Sequence, residues 1–235
     1  AYPTISDTTL ALTLPSLTFI SIFSYQVTSD GNLKQINDNR VITAAKDTNT
    51  LPMLVMTNIG STGRFESDLA HAILSNEAVQ ERLINNLVTT LRNKGYAGVD
   101  IDFEYVYPMD RELYNSFLEK VVTRLREEEF IITTALAPKV RANQVGTLYE
   151  AHDYATHGRL TDHVIIMTYE WGYTYGPPMA VAPINQVERV IQYAVTEIPS
   201  KKILMGIPNY GYDWTLPYEQ GRPAKSISNT NAVAL

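Results

Sequence analysis

Three carboxylic acids alternate with apolar residues along one short segment of the sequence, and their spacing is suited to chemistry. The acids are Asp100, Asp102 and Glu104, and the residues between and before them are Val99, Ile101 and Phe103. Because successive side chains of a β-strand point to opposite faces, the three acids share one face of a strand. Carboxyl groups two residues apart then lie about 6 to 7 Å from each other. The segment predicts a row of acids that rises toward the carboxyl end of a buried strand.

Crowding of buried carboxyl groups changes their pKa values. It raises the pKa of one acid and holds another down, and an acid that stays protonated near neutral pH serves as a general acid. Glu104, at the end of the row, is the predicted proton donor. Two other interpretations stay open: acids bonded to helix caps or basic residues, and a divalent cation held by carboxylate oxygens. No His or further acid stands ready to complete a metal shell, so we expect no metal.

Short apolar runs alternate with longer segments of helical periodicity, and the acids lie on one of the runs. Near-continuous hydrophobicity of this kind is typical of parallel strands covered on both faces. The predicted strands cover residues 18–25, 52–58, 97–104, 130–137, 163–169 and 202–208. The predicted helices cover residues 38–48, 76–93, 111–128, 147–157 and 183–197. Strand followed by helix, repeated along the chain, predicts an α/β protein.

Two α/β architectures fit this pattern, the (β/α)8 TIM barrel and the doubly wound sheet, and periodicity does not separate them. In both, chemistry collects at the carboxyl ends of the strands. The 235 residues read as one domain, 1–235, slightly shorter than the roughly 250 residues of a typical barrel. Only six strands are evident, and residues 1–17 and 210–235 contain no convincing strand. A barrel built from this chain is therefore predicted to be incomplete, without its first and last strands.

The composition limits the partners. A net charge of −6 offers no basic field for nucleic acid or an acidic membrane, and no run approaches the ~20 apolar residues of a membrane span. Residues 1–4 lack the charged and apolar regions of a signal peptide. The chain has no Cys, so thiolate metal sites and a Cys nucleophile are excluded. We expect a neutral or cationic ligand, no cofactor, no nucleic-acid or membrane partner, and a monomer.

The acid segment resembles a known signature. The run GVDIDFE over residues 98–104 is similar to the DGxDxDxE motif of glycoside hydrolase family 18, with Ala97 where many members carry Asp or Phe before the Gly. The resemblance continues through residues 52–58, 135–138, 167–170 and 206–211. Residues 169–172 and 208–214 look like the bacterial spore-cortex and spore-germination glycosylases. Membership of this family implies a (β/α)8 barrel.

The family resemblance also implies a mechanism, substrate-assisted hydrolysis with retention at the anomeric carbon. Glu104 would protonate the glycosidic oxygen while the 2-acetamido carbonyl of the substrate attacks the anomeric carbon. Asp102 would stabilise the acetamido nitrogen, Asp100 would hold Asp102, and Tyr169 would donate to the acetamido oxygen. Neither an enzyme nucleophile nor a cofactor is needed.

Polar and aromatic side chains after the later strands could hold a sugar. The predicted substrate contacts are Glu170, Trp171, Asn209, Tyr210, Asp213 and Trp214. Flat rings stack on pyranose faces and polar groups bond to hydroxyls, although loop packing and capping account for the same residues. Glu170 stands where many chitinases carry Asp, so its role stays open. The histidines, with His152 and His157 predicted on one exposed helix, lack metal-ligand spacing and are assigned no chemistry.

The expected activity is cleavage of β-linked N-acetylglucosamine bonds. Spore-cortex peptidoglycan is the favoured polymer, with association to the spore or cell wall, because of the subgroup resemblance. Chitin is the alternative, as for a chitinase or another endo-N-acetylglucosaminidase, since the mechanism demands only a 2-acetamido group. A second hypothesis is a sugar-binding protein without catalysis. The presence of Asp100, Asp102, Glu104 and Tyr169 favours an enzyme.

Overall fold

The computed structural model describes residues 1–235 and contains one sheet of six parallel strands. The strands are β1 (Phe19–Gln26), β2 (Leu51–Thr57), β3 (Gly98–Asp102), β4 (Ile131–Leu136), β5 (His163–Ile166) and β6 (Ile203–Met205). They stand side by side in chain order, each paired in parallel with the next. Neighbouring strands of a barrel follow chain order, whereas a doubly wound sheet reverses at a switch point. The six predicted strands and the α/β barrel class are confirmed.

The sheet does not close on itself. β6 has no pairing with β1, so both strands form open edges. β6 is also poorly covered, since Leu204 is 38% exposed and Met205 is 46% exposed. The prediction of an incomplete barrel is confirmed.

Eight helices accompany the strands. They are α1 (Asp7–Thr13), α2 (Asn39–Asp47), α3 (Ser67–Leu74), α4 (Glu77–Lys94), α5 (Arg111–Arg126), α6 (Tyr154–Leu160), α7 (Ile184–Glu197) and α8 (Asn229–Val233). The helix predicted over residues 147–157 has the wrong bounds. The Asp153 carboxylate accepts a hydrogen bond from the Thr156 backbone N–H and caps the helix, which therefore begins at Tyr154. Residues 147–151 form turns instead.

The final part of the chain departs from prediction. Residues 210–235 contain an antiparallel hairpin of β7 (Tyr210–Asp213) and β8 (Lys225–Ser228), followed by α8. The prediction that this stretch contains no strand is wrong. Each of the two strands is four residues long and neither contains a buried residue, so the apolar alternation that marks a strand is missing.

Helix α4 leads the chain into the strand that carries the acids. The Asn76 side chain accepts a hydrogen bond from the Val79 N–H at 3.2 Å and begins the helix. Gly95 ends it in a left-handed conformation with φ of 72°, which glycine adopts at no steric cost. β3 begins three residues later, at Gly98.

One face of β3 belongs to the main hydrophobic core. Val99, Ile101 and Phe103 are fully buried there. The Phe103 ring stacks against Tyr114 and Phe117 of α5, with ring centroids 5.9 and 6.0 Å apart. Because side chains alternate along the strand, the acids between these residues are directed away from the helices, toward the interior of the sheet.

Gly98 allows β3 to approach β4 closely. A Cβ at this position would lie 2.0 Å from the backbone oxygen of Ile131. We expect Gly98→Ala to reduce the free energy of unfolding by about 1–3 kcal/mol or more, because one strand must shift. Gly211→Ala in β7 is the matched control, since an added Cβ there meets no atom within 4 Å. Urea denaturation measures both variants, and equal stability would contradict the close approach.

Candidate active site

The predicted acids lie together at the carboxyl end of β3. Asp100 and Asp102 belong to the strand, and Glu104 follows two residues after its end. Asp100 is 5% exposed and Asp102 is 7% exposed, whereas Glu104 is only partly covered. The row therefore runs from the interior of the sheet to its rim, as the sequence predicts.

Neighbouring strands supply the contacts of the inner acids. The Thr133 hydroxyl on β4 donates to Asp100 Oδ1 at 2.9 Å. Asp102 Oδ1 is buried and has no hydrogen-bond partner in the protein. The salt bridges of the chain all involve other carboxylates. No basic side chain therefore pairs with the row, and the charge of the Ala1 N-terminus is the one cationic contribution to the pKa of Asp100.

Burial controls the protonation of the row. It raises the pKa of Asp100 to about 6, against the Thr133 hydrogen bond, which lowers it. Burial, followed by the charges of Glu104 and Asp100, raises the pKa of Asp102 well above its usual range. Burial also raises the pKa of Glu104 to about 7, and the Glu170 charge adds to the rise. The prediction that one acid is held down is wrong, because no cationic side chain pairs with the row to offset desolvation.

Tyr169 faces the acids from the carboxyl end of β5. Its pKa is raised by burial first and then by the charges of Asp102 and Glu104, which indicates that these groups are close. Gly206, after β6, makes room for the ring, because a Cβ there would lie 2.6 Å from a Tyr169 ring carbon. The Thr168 hydroxyl donates to the Gly206 oxygen at 2.7 Å and ties the two strand ends together.

Glu170 is held in one place by two tyrosines of the hairpin. Its Oε1 accepts from the Tyr210 hydroxyl at 2.5 Å and from the Tyr212 hydroxyl at 2.8 Å. Its backbone adopts φ of 70°, a left-handed conformation that costs energy for a residue with a side chain. The structure therefore brings predicted residues Glu170 and Tyr210 together and adds Tyr212, which the sequence pattern did not single out.

An aromatic cavity opens in front of the row, with a volume of about 560 Å³. Four predicted site residues line it: Glu104, Tyr169, Glu170 and Trp171. The remaining lining comes from Phe65, Tyr105, Pro138, Leu148, Tyr149, Met167 and Tyr173. Tyr105 and Tyr149 were missed, although Tyr105 directly follows Glu104 and its position after a strand end was an available signal.

Besides Tyr210, three further predicted contacts lie outside the cavity lining. Asn209 is exposed before the hairpin, and Asp213 is at the end of β7. The indole N–H of Trp214 donates to the Gly176 oxygen at 2.9 Å, and its ring packs on Tyr212 with centroids 5.9 Å apart. These contacts anchor the hairpin to the loop after β5.

The histidine prediction needs correction. His152 and His157 are buried, at 1% and 0% exposure, and only His157 lies on α6. Burial lowers the pKa of His152 to about 4 and that of His157 to about 3, so both are neutral. The His157 ring packs on Tyr114 with centroids 4.9 Å apart. Polar periodicity suggested an exposed helix because two imidazoles in a core look polar in sequence.

The sequence of this chain matches that of a known enzyme family. The model of glycosyl hydrolases family 18 matches residues 5–233. The chain belongs to glycosyl hydrolases family 18. The family resemblance predicted from residues 98–104 is confirmed.

Individual relatives place the chain near the spore-cortex members of family 18. The cortical fragment-lytic enzyme of Bacillus subtilis (strain 168) is 45% identical over 224 residues, covering 94% of this chain and 51% of that enzyme. The Bacillus anthracis enzyme of the same name is 44% identical over 223 residues, with the same coverage. The crystal structure of the Bacillus cereus spore cortex-lytic enzyme SleL matches with a TM-score of 0.94 and 41% identity, covering 100% of this chain and 56% of that one. The chain thus spans about half the length of these proteins.

No three His, Asp or Glu side chains of this family 18 chain are arranged to hold a metal ion. None of its helices is both long and apolar enough to cross a membrane.

The Glu170 charge raises the pKa of Glu104, and this gives a test by titration. We expect Glu170→Gln to lower the Glu104 pKa from about 7, because a negative charge that opposes ionisation is removed. The ionised fraction of Glu104 at pH 7 then increases. Carbon-13 NMR titration of the side-chain carboxyl measures this. Glu188→Gln on the outer helix α7 is the control and should leave the pKa unchanged; an unchanged pKa in Glu170→Gln itself would contradict the coupling.

Proposed function

We propose that this chain carries the catalytic site of a retaining glycoside hydrolase that cleaves β-linked N-acetylglucosamine bonds by substrate-assisted catalysis. Glu104 lies at the rim of the acid row and in the lining of the cavity. A pKa of about 7 suits a group that gives up a proton in one step and takes one in the next. This supports Glu104 as the proton donor to the glycosidic oxygen.

The observation that carries the proposal is the unpaired oxygen of Asp102. A buried polar atom without a partner costs free energy, and of the six such side-chain atoms in this chain Asp102 Oδ1 is the one that belongs to the acid row. Asp102 Oδ1 is buried, and its residue lies two positions before Glu104, which lines the cavity. The N–H of a 2-acetamido group would satisfy it, and the negative charge would stabilise the positive charge that develops on the acetamido group during attack.

The steps then follow from the positions of the side chains. As Glu104 protonates the leaving oxygen, the acetamido carbonyl oxygen bonds to the anomeric carbon and the glycosidic bond breaks. The Tyr169 hydroxyl, whose raised pKa keeps it protonated, donates to that carbonyl oxygen and orients it. Glu104 next removes a proton from water, which attacks the anomeric carbon and reopens the oxazolinium ring. The configuration is retained after two inversions.

Asp100 is the innermost acid of the row. Its carboxyl accepts from Thr133 and shares the buried face with Asp102. Because burial raises the pKa of both groups, the pair would carry one proton near neutral pH, and with that proton on Asp100 one negative charge is left for Asp102 to present to the substrate. This supports Asp100 as the residue that holds Asp102 and tunes its charge.

The cavity supports a carbohydrate ligand. Its walls are mostly aromatic, and rings such as those of Trp171, Tyr105 and Tyr173 offer flat apolar surface for pyranose faces. A hydroxyl-rich chain would find polar partners at Glu170 and at the hydroxyls of the same tyrosines. Glu170 is thereby proposed as a sugar contact as well as a neighbour of the proton donor.

Spore-cortex peptidoglycan is the proposed polymer. The names of the relatives, cortical fragment-lytic enzyme and spore cortex-lytic enzyme, support this choice and an association with spores. Chitin is the second candidate, because the chemistry requires only the 2-acetamido group. Product analysis by mass spectrometry after incubation with cortex fragments and with chitin oligomers separates the two polymers.

A sugar-binding protein without catalysis is the alternative, favoured by the open edges of the sheet. An open sheet that displaces the acids by about 1 Å would lose roughly 100-fold in rate. A thiazoline analogue of the oxazolinium intermediate distinguishes the hypotheses in the full-length protein. Tight binding of the analogue with turnover supports the enzyme, whereas sugar binding with neither turnover nor preference for the analogue supports the binding protein.

Replacement of Glu104 tests the proton donor. We expect Glu104→Gln to fold and bind sugar normally, because the amide has the same shape, and to lose about 10²- to 10⁴-fold in turnover, because it has no proton to give. Turnover is measured on N-acetylglucosamine oligomers in EDTA.

Near-normal turnover of a folded Glu104→Gln variant would contradict the assignment. Dependence on Mg²⁺ or Mn²⁺ in the wild type would instead support a cation held by the carboxylates. Glu150→Gln, outside the cavity lining, is the matched control and should retain wild-type turnover.

A further inference from the structure

The proton donor sits at the beginning of a strained turn. Glu104 follows the end of β3, and the next residue, Tyr105, has φ of 53°. A left-handed conformation is unfavourable for a residue with an aromatic side chain and persists only where the surroundings fix it. The position of the Glu104 carboxyl therefore depends on the groups that hydrogen-bond to the backbone of this turn.

The side chain of Asn58 hydrogen-bonds directly to the backbone of Glu104. Asn58 follows β2 and is fully buried. Its Oδ1 accepts from the Glu104 N–H at 2.9 Å, and its Nδ2 donates to the Glu104 oxygen at 2.9 Å. The same Nδ2 donates to the Glu66 oxygen at 3.2 Å. One amide thus pairs with both backbone polar groups of the catalytic residue and ties them to the chain that follows β2.

Two further contacts hold the residues on either side. The Ser67 hydroxyl donates to the Tyr105 oxygen at 2.5 Å. His152 Nδ1 accepts from the Ala137 N–H at 2.8 Å, which leaves its Nε2 protonated to donate to the Phe103 oxygen at 2.9 Å. These bonds hold the carbonyl groups of Phe103 and Tyr105, whereas the N–H and carbonyl groups of Glu104 itself both bond to Asn58.

We infer that Asn58 is a positioning residue that aims the Glu104 carboxyl at the leaving oxygen, an inference that rests on the proposed function. The amide is the group the position requires, because it combines a donor and an acceptor. An apolar residue would leave two part-buried backbone groups unpaired, and Asp would offer no donor to the Glu104 oxygen. Asn58 acts through Glu104, so its loss affects the steps that need the proton.

A comparison of leaving groups tests this role. A sugar leaving group needs the proton of Glu104, whereas dinitrophenolate departs without it. In the full-length protein, we expect Asn58→Ala to lower kcat/KM on an N-acetylglucosamine oligomer by about 10- to 100-fold, because small displacements of a catalytic group are costly. On the dinitrophenyl glycoside the loss in kcat/KM, which reports the cleavage step and not the later attack of water, should be several times smaller.

Two other variants keep the test decisive. Asn58→Asp has the same shape, accepts from the Glu104 N–H and lacks the donor, so it should give the same contrast between substrates even if Asn58→Ala is poorly folded. Gln80→Ala is the matched structural control, because Gln80 is a buried amide whose Nε2 donates to the Leu74 oxygen at 2.7 Å. It should lower thermal stability without any preference between the leaving groups.

An equal loss on both substrates in Asn58→Ala and Asn58→Asp would overturn the inference and assign Asn58 to the fold alone. Wild-type turnover of either variant on the oligomer would also overturn it. Failure of the proposed function is recognised separately, because it would appear as an inactive wild type or as an active Glu104→Gln. The inference on Asn58 fails alone when Glu104 proves essential and the leaving-group contrast is absent.

Discussion

The structure depends on the covering of three carboxyl groups along one strand with which no cationic side chain pairs. Such burial favours the protonated forms and raises the pKa of Asp100 to about 6 and that of Glu104 to about 7. In the unfolded chain the same groups titrate near pH 4. The row therefore costs stability as pH rises from about 4, and the contributions of Asp100 and Glu104 are fully present only when the pH is well above 7. The core behind β3 must offset it.

The elements next to β3 hold the three acids in place. Gly98 allows β3 to lie against β4, and Thr133 on β4 then reaches Asp100. On the other side, Asn58 at the end of β2 binds the backbone of Glu104. Phe103 packs on α5 and fixes which face of the strand the acids occupy. The positions of Asp100, Asp102 and Glu104 therefore follow from the register of three neighbouring strands.

Sequence reasoning worked where a pattern repeats. Near-continuous apolar runs marked all six parallel strands, and alternation within one run put the acids on a common face. It did less well where structure depends on contacts distant in sequence. The hairpin of β7 and β8 is held by the Tyr210 and Tyr212 hydroxyls on Glu170 and has no apolar period of its own. His152 looks like a surface residue until its two hydrogen bonds to strand ends are known.

The same limit applies to the site. The acids and Tyr169 stand out by residue type and by their place after strands, but Asn58 is one polar residue at the end of an apolar run. Only pairing of β2 with β3 puts its amide against Glu104. The raised pKa values of all three acids could not be predicted from the sequence either. The alternation of acids shows that they are crowded, but it does not show that no cationic side chain pairs with them.

The central claim is that the acetamido carbonyl of the substrate, and no side chain of the protein, attacks the anomeric carbon. It is tested most directly by kcat/KM on oligomers whose N-acetyl groups carry zero, one, two or three fluorine atoms. Fluorine makes the carbonyl oxygen a poorer nucleophile while changing its size little. The account predicts that kcat/KM falls steeply with each added fluorine. Values that do not depend on fluorine would contradict it and would require a nucleophile supplied by the protein or by water.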